Sequence, residues 1–223
     1  MTQQTKITLA SIVFLLVAIT DVYAVITQNK TLEMVFKPLL MTTLAVVYLV
    51  SVKKPSFWLV SALFFSFWGD VFLLDKTNFF VFGLASFLVA HLLYIKITIS
   101  FLYKDTAVKT VISAIPFVLL FVGLLGVIYS NLGDMLLPVL VYGVTISTFG
   151  TAALLNYCQQ KSTANLWLLL GALLFIASDS LIALNNFHTP KPLYDIAIIV
   201  LYIVSQYLIV RAVIAKTDST TAN

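Results

Sequence analysis

The chain has 223 residues, 61% of them hydrophobic and only 10% charged, with a mean hydropathy of +1.05; a soluble domain runs about 45–50% apolar and about 25% charged, so a water-soluble globule is excluded. The net charge of +4 comes without a basic run interleaved with aromatics, which gives no support to a nucleic-acid partner. One cysteine, Cys158, excludes an intramolecular disulfide, and with only His91 and His188 beside it the usual structural zinc sets are out of reach, so no metal or cofactor is expected.

A bilayer core of about 30 Å takes roughly 20 apolar residues in a helix that rises about 1.5 Å per residue. Eight such windows follow one another: Ile7 to Ile26, Met34 to Val52, Phe57 to Leu74, Phe79 to Phe101, Val108 to Tyr129, Met135 to Leu155, Leu166 to Leu184 and Leu193 to Val213. The expected fold is an all-α polytopic membrane protein, a bundle of eight transmembrane helices. Connections such as Lys53-Lys54-Pro55-Ser56 and Asp75-Lys76-Thr77-Asn78 are too short for a second domain. Residues 1–215 therefore read as one transmembrane domain and 216–223 as a disordered tail. The first window reads as a retained helix. Lys6 and Val22-Tyr23-Ala24 faintly resemble a signal peptide, but the apolar run is too long and Asp21 sits where a cleavage region is bland.

Lys and Arg are kept on the cytoplasmic side. With the N-terminus inside, nine of the 13 basic residues (Lys6, Lys53, Lys54, Lys96, Lys104, Lys109, Lys161, Arg211, Lys216) fall on cytoplasmic ends and four (Lys30, Lys37, Lys76, Lys191) outside. Both termini are expected in the cytoplasm, and the basic excess serves topology and contact with anionic lipid. In a bacterial host the membrane is the plasma (inner) membrane. Four helices per half give each half the same orientation; Pro38 answers Pro138, and Asp70 answers Asp179, as in a parallel repeat.

A carboxylate inside a span costs about 2.5–3.5 kcal/mol on insertion scales, so each one asks for a reason. Asp70, Asp179 and His91 are the only candidate catalytic constellation. Asn or Ser would serve as interhelical glue without that cost, which favours function for the two aspartates. Under this topology Asp21, Lys37 and Asp195 also fall in the outer half. Asp21 and Asp195, near helix ends, read as solvated or paired; His188 reads as a loop residue. Gly83, Ser86, Ala90 and Tyr94 form a small, polar stripe beside His91, and Gly171, Phe175, Ser178, Ile182 and Asn185 a similar one beside Asp179. Tyr202 and Gln206, one turn apart, line a cavity or bond across helices. Asn29-Lys30-Thr31 matches a glycosylation sequon, which in so short a loop decides nothing. Two carboxyls in a poorly solvated site need not share a pKa, so one serves as acid and the other as base.

Taken together, Phe36-Lys37-Pro38-Leu39, Gly69-Asp70, Phe87-Leu88-Val89-Ala90-His91-Leu92-Leu93-Tyr94, the run from Gly171 through Ser178-Asp179, and Tyr202 through Gln206 to Leu208-Ile209 resemble the YhhN-like lysoplasmalogenase family of integral membrane proteins. The pieces stand in the family's order and cover about four-fifths of the chain. The resemblance implies hydrolysis of the vinyl ether bond of lysoplasmalogens to a long-chain aldehyde and glycerophosphoethanolamine or glycerophosphocholine. For that chemistry Asp70 and Asp179 are expected as acid and base, with His91 orienting water or relaying a proton, Lys37 near the phosphate, and Tyr94, Ser178, Tyr202 and Gln206 as substrate-binding. The partners implied are a lysophospholipid and the bilayer. The competing expectation is a transporter or lipid-handling permease without hydrolytic activity, because prolines and polar residues within spans are also transporter features.

Overall fold

A computed structural model describes residues 2–103 and 107–221. It contains eight α-helices: α1 (Gln3–Ile26), α2 (Lys30–Ser51), α3 (Phe57–Leu73), α4 (Lys76–Ser100), α5 (Ala107–Ile128), α6 (Leu136–Gln159), α7 (Thr163–Phe187) and α8 (Pro192–Thr221), with no strand among the described residues. Seven are long and apolar enough to cross a membrane, and the chain is an integral multi-pass membrane protein. The exception is α3, whose 17 residues rise only about 25 Å.

Local chemistry sets the helix ends. Thr2, Asn29 and Ser162 accept hydrogen bonds from backbone N–H groups in the first turns of α1, α2 and α7, satisfying donors that have no partner inside the helix. Asn29, the acceptor of the sequon, is thus a helix cap. Between α1 and α2 the chain turns through Gln28 at φ 55, and between α5 and α6 through Gly133 at φ 48; the second is a left-handed position that glycine fills without a Cβ penalty. Phe79 is non-helical at φ −123, so a first turn, Lys76 to Asn78, precedes the straight run of α4. The last helix continues to Thr221, past the expected boundary at Lys216; Ala222 and Asn223 of the expected tail lie outside the described residues.

Two ends differ from the sequence reading in a way that matters. Helix α2 begins at Lys30 instead of Met34, because the Asn29 cap opens a polar first turn that a hydropathy window discards. Glu33 therefore belongs to the helix. Pro38 becomes its ninth residue, in the interior, whereas Pro138 is the third residue of α6, in the first turn. The two prolines do not hold equivalent places.

The chain divides into two compact units, residues 1–94 with 213–223, and residues 95–212. Unit 1 holds α1 to α3 and most of α4, around a core of Phe14, Val17, Leu40, Leu44, Tyr48, Leu59 and Leu63. The Tyr48 hydroxyl accepts from the Ser56 N–H at 2.8 Å, tying the α2–α3 connection to the core. A Cβ at Gly69 would meet the Phe87 ring at 2.5 Å, and one at Gly83 would meet Leu73 at 2.7 Å, so α3 and α4 cross where their side chains are smallest.

Unit 2 holds the rest. Phe117, Ile146 and Ile176 join α5, α6 and α7. Gly150 admits the Phe117 ring, and Gly171 admits Ile209 and the Ser205 carbonyl of α8. Beside α6 and α7 a polar knot replaces apolar packing. The Asn156 amide donates to the Thr98 carbonyl at 2.9 Å, and the Asn165 amide donates to the Asn156 carbonyl at 3.2 Å and the Gln160 carbonyl at 2.7 Å. On the outer surface α1 and α5 present Leu15, Leu16, Ile19, Val111, Leu119 and Val122, the faces that meet lipid tails.

Candidate functional site

In unit 1 the polar groups lie on three helices. Asp70 is buried, three residues before the end of α3 and next to Gly69. His91 is fully buried on α4, and its Nδ1 lies 2.8 Å from the Phe87 carbonyl one turn earlier. Phe87 is also the residue whose ring fills the space at Gly69. One residue thus orients the imidazole and packs against the turn that carries Asp70. Tyr94, one turn beyond His91's neighbour Ala90, is buried too. The buried face of α4 runs Gly83, Phe87, Ala90, His91 and Tyr94; Ser86 instead donates back to the Phe82 carbonyl at 2.8 Å.

Lys37 is not a lone cation at a helix end. Its Nζ donates to Glu33 Oε1 at 2.6 Å, with side-chain exposures of 15% and 18%. The pair sits one turn apart in the favourable Glu-before-Lys order. Asp21 on α1, which the sequence suggests is solvated or paired, is not solvated. Asp21 is fully buried, neither carboxyl oxygen has a hydrogen-bond partner among the described residues, and the charges of Lys37 and Glu33 act on it.

In unit 2 the central contact is between α6 and α7. The Tyr142 hydroxyl donates to Asp179 Oδ2 at 2.5 Å, in the short range of a bond to a charged acceptor. Asp179 itself is partly buried. Ser178 beside it is spent on structure, since its hydroxyl donates to the Ile198 carbonyl of α8 at 3.0 Å. Ser205 makes the reciprocal tie, donating to the Gly171 carbonyl at 2.8 Å. Tyr202 packs edge-on against Phe175 with ring centroids 5.6 Å apart, and Gln206 on the next turn is fully buried. Asp195 accepts from the Asn185 amide at 3.0 Å, and the Lys191 N–H donates to Asn185 Oδ1 at 2.9 Å. These three residues brace the α7–α8 turn. His188, just past α7, is exposed.

Tyr142, Glu33 and the Asn156–Asn165 knot escape the sequence reading. Each carries a signal. A tyrosine inside a span has a hydroxyl that needs a partner, Glu33 stands four residues before Lys37, and two asparagines flanking the facing ends of successive spans are placed to act as interhelical glue. Among the described residues no three His, Cys, Asp or Glu side chains gather as a metal site.

This is a polytopic α-helical membrane protein that fixes carboxyls inside its spans by hydrogen bonding and close helix crossings. Residues 32–213 match the YhhN family, and the chain belongs to it. It is 34% identical over 135 residues to proteins named lysoplasmalogenase from Mycobacterium bovis and Mycobacterium tuberculosis, which covers 58% of this chain and 50% of each relative. It is 33% identical over 145 residues to human lysoplasmalogenase TMEM86B, covering 62% and 58%. The chain thus spans about half the length of the curated relatives it matches. No solved structure is significantly similar to it.

Proposed function

We propose that the chain is a membrane hydrolase that cleaves the vinyl ether bond of lysoplasmalogens, giving a fatty aldehyde and a glycerophosphoethanolamine or glycerophosphocholine. The observation that carries this reading is the Tyr142–Asp179 bond of 2.5 Å, which holds a carboxyl in place within a spanning helix. Family membership and the names of the curated relatives support the substrate class. They lend nothing to the permease alternative.

The chemistry is acid-catalysed hydration. A carboxylic acid delivers a proton to the β-carbon of the enol ether, the α-carbon becomes an oxocarbenium ion, water adds to it with loss of a proton to a base, and the hemiacetal collapses to aldehyde and alcohol. The positive charge that develops calls for a nearby carboxylate, as in acetal-cleaving glycosidases. Asp179 is one carboxyl assigned to this work, with Tyr142 fixing its rotamer. Asp70 is the second, and His91, held in one orientation by the Phe87 carbonyl, orients water or relays a proton. Lys37 meets the phosphate, and Tyr202 and Gln206 contact the lysolipid. Tyr94 stays in the substrate-binding set as a buried wall residue, while the bonded Ser178 hydroxyl favours a packing role. Both termini face the cytoplasm, and in a bacterium the membrane is the plasma membrane.

The test is aldehyde release from a lysoplasmalogen by the detergent-purified protein, with the saturated-ether lysolipid as control. Vinyl-ether-specific release is expected, falling by about 10²–10⁴-fold in Asp179→Asn and in Asp70→Asn. Unchanged release in both variants would remove the carboxyls from the mechanism; no release by well-folded wild type would overturn the function.

A further inference from the structure

The mechanism makes no use of Asp21. Its burial is complete and both of its oxygens lack a hydrogen-bond donor among the described residues, an arrangement that costs free energy unless something supplies the donors. Its surroundings are not apolar. Lys37 and Glu33 act on it from α2, and Glu33 in turn feels Lys30, Lys37 and Lys76. Asp21 lies five residues before the end of α1, Glu33 and Lys37 in the first eight residues of α2, and Lys76 at the start of α4. Short connections make these helices alternate in direction, so all of these groups belong to one end of unit 1.

That end therefore offers a buried anionic acceptor beside an ammonium group. Glu33 takes one of the three N–H donors of Lys37, which leaves donors that suit a phosphate. A ligand that completes both halves carries a phosphate and, on a short arm, a cation with N–H groups to give. A primary ammonium meets that requirement. A trimethylammonium has no N–H donor and would leave the Asp21 oxygens as unsatisfied as they are now.

We propose that Asp21 accepts the ammonium of an ethanolamine headgroup while Lys37 holds its phosphate, which makes Asp21 the residue that selects ethanolamine over choline lysolipids. The proposal rests on the lysolipid reading given above and deepens it by naming the headgroup. Asp21 is a specificity residue and takes no part in breaking the vinyl ether. It lies before residue 32, where the match to the family begins.

The experiment measures kcat/KM for alkenyl lysophosphoethanolamine and alkenyl lysophosphocholine on wild type and Asp21→Asn. Wild type is expected to prefer ethanolamine, and the ethanolamine-to-choline ratio is expected to fall by about 10- to 100-fold in the variant, as for loss of one charge-assisted hydrogen bond. Because the readout is a ratio, a smaller folded fraction cannot imitate it. Absence of a preference in wild type, or equal loss on both lipids in Asp21→Asn, overturns the assignment. If wild type hydrolyses neither lipid, the hydrolase reading fails by itself. Binding of the saturated alkyl lysophosphoethanolamine and lysophosphocholine to purified protein then decides the headgroup: a preference that Asp21→Asn abolishes sustains it, and equal affinity ends it.

Discussion

Tyr142 is the residue on which the candidate chemistry of unit 2 turns. A carboxyl side chain inside a helix has two rotatable bonds, and a single donor at 2.5 Å removes most of that freedom. Tyr142→Phe keeps the ring and deletes only the donor. Vinyl-ether hydrolysis is expected to fall by about tenfold, with the loss in kcat instead of KM and with thermal stability little changed, since the net worth of one hydrogen bond is about 1 kcal/mol. Steady-state kinetics on that variant are the check. Hydropathy alone makes Asp70, Asp179 and His91 conspicuous, because an ionisable group among apolar residues is costly wherever it lands. Their partners are another matter. Tyr142 precedes Asp179 by 37 residues, and no periodicity within one helix points to a contact between two. Glu33 is hidden for a different reason: a window tuned to apolar length trims the polar first turn that the Asn29 cap makes possible.

At the scale of elements, the glycines separate into crossings and spacers. A Cβ at Gly171 would lie 2.7 Å from the Ile209 side chain, 3.1 Å from the Ser205 carbonyl oxygen and 3.2 Å from the Ile209 backbone nitrogen, so a methyl there pushes against backbone as well as side chain. Gly69 faces the Phe87 ring, on which the orientation of His91 also depends. Gly171→Ala and Gly69→Ala are expected to destabilise by about 1–3 kcal/mol each. A Cβ added at Gly123 or Gly126 of α5 would meet nothing beyond its own helix within 4 Å, and alanine there is expected to stabilise the helix by about 0.5–1 kcal/mol. Thermal denaturation of the four variants in one detergent tests the sign as well as the size.

The start of α4 gives a second element-scale outcome. Asp75 accepts from the Asn78 N–H at 3.2 Å and the Asn78 side-chain amide at 2.8 Å, and the side-chain bond, ahead of the backbone one, holds its carboxyl below the usual carboxylate range. A lowered native value means that the bonds contribute fully above the unfolded value of about 3.9 and are lost as pH falls through the native one. The Tm gap between wild type and Asp75→Ala is therefore expected at neutral pH and to close below about pH 4.

Over the whole molecule, the number, order and approximate limits of the helices are legible in composition, because a bilayer of fixed thickness imposes a fixed run length. The division into two units at Tyr94 and Val213, inside α4 and α8, is not. Units defined by packing need not end where hydrophobic runs end. Orientation rests on the nine-to-four distribution of basic residues. Reporter fusions after residues 54 and 161 are expected to report cytoplasm, and fusions after residues 29, 75 and 190 the opposite side; inversion of the pattern would reverse the face from which a lysolipid headgroup is met.

The shortness of α3 has a consequence for the lipid around it. Its 17 residues rise about 25 Å, roughly 5 Å less than an ordinary hydrocarbon slab, and its outward side chains include Phe57, Trp58, Phe64 and Trp68. Tryptophan settles at the headgroup boundary. A helix shorter than the slab is accommodated by local thinning of the bilayer or by flanking side chains that reach to the interface, so hydrophobic mismatch is a property of this one helix. The seven longer helices carry no such mismatch, so a dependence on bilayer thickness is concentrated on the α3 side.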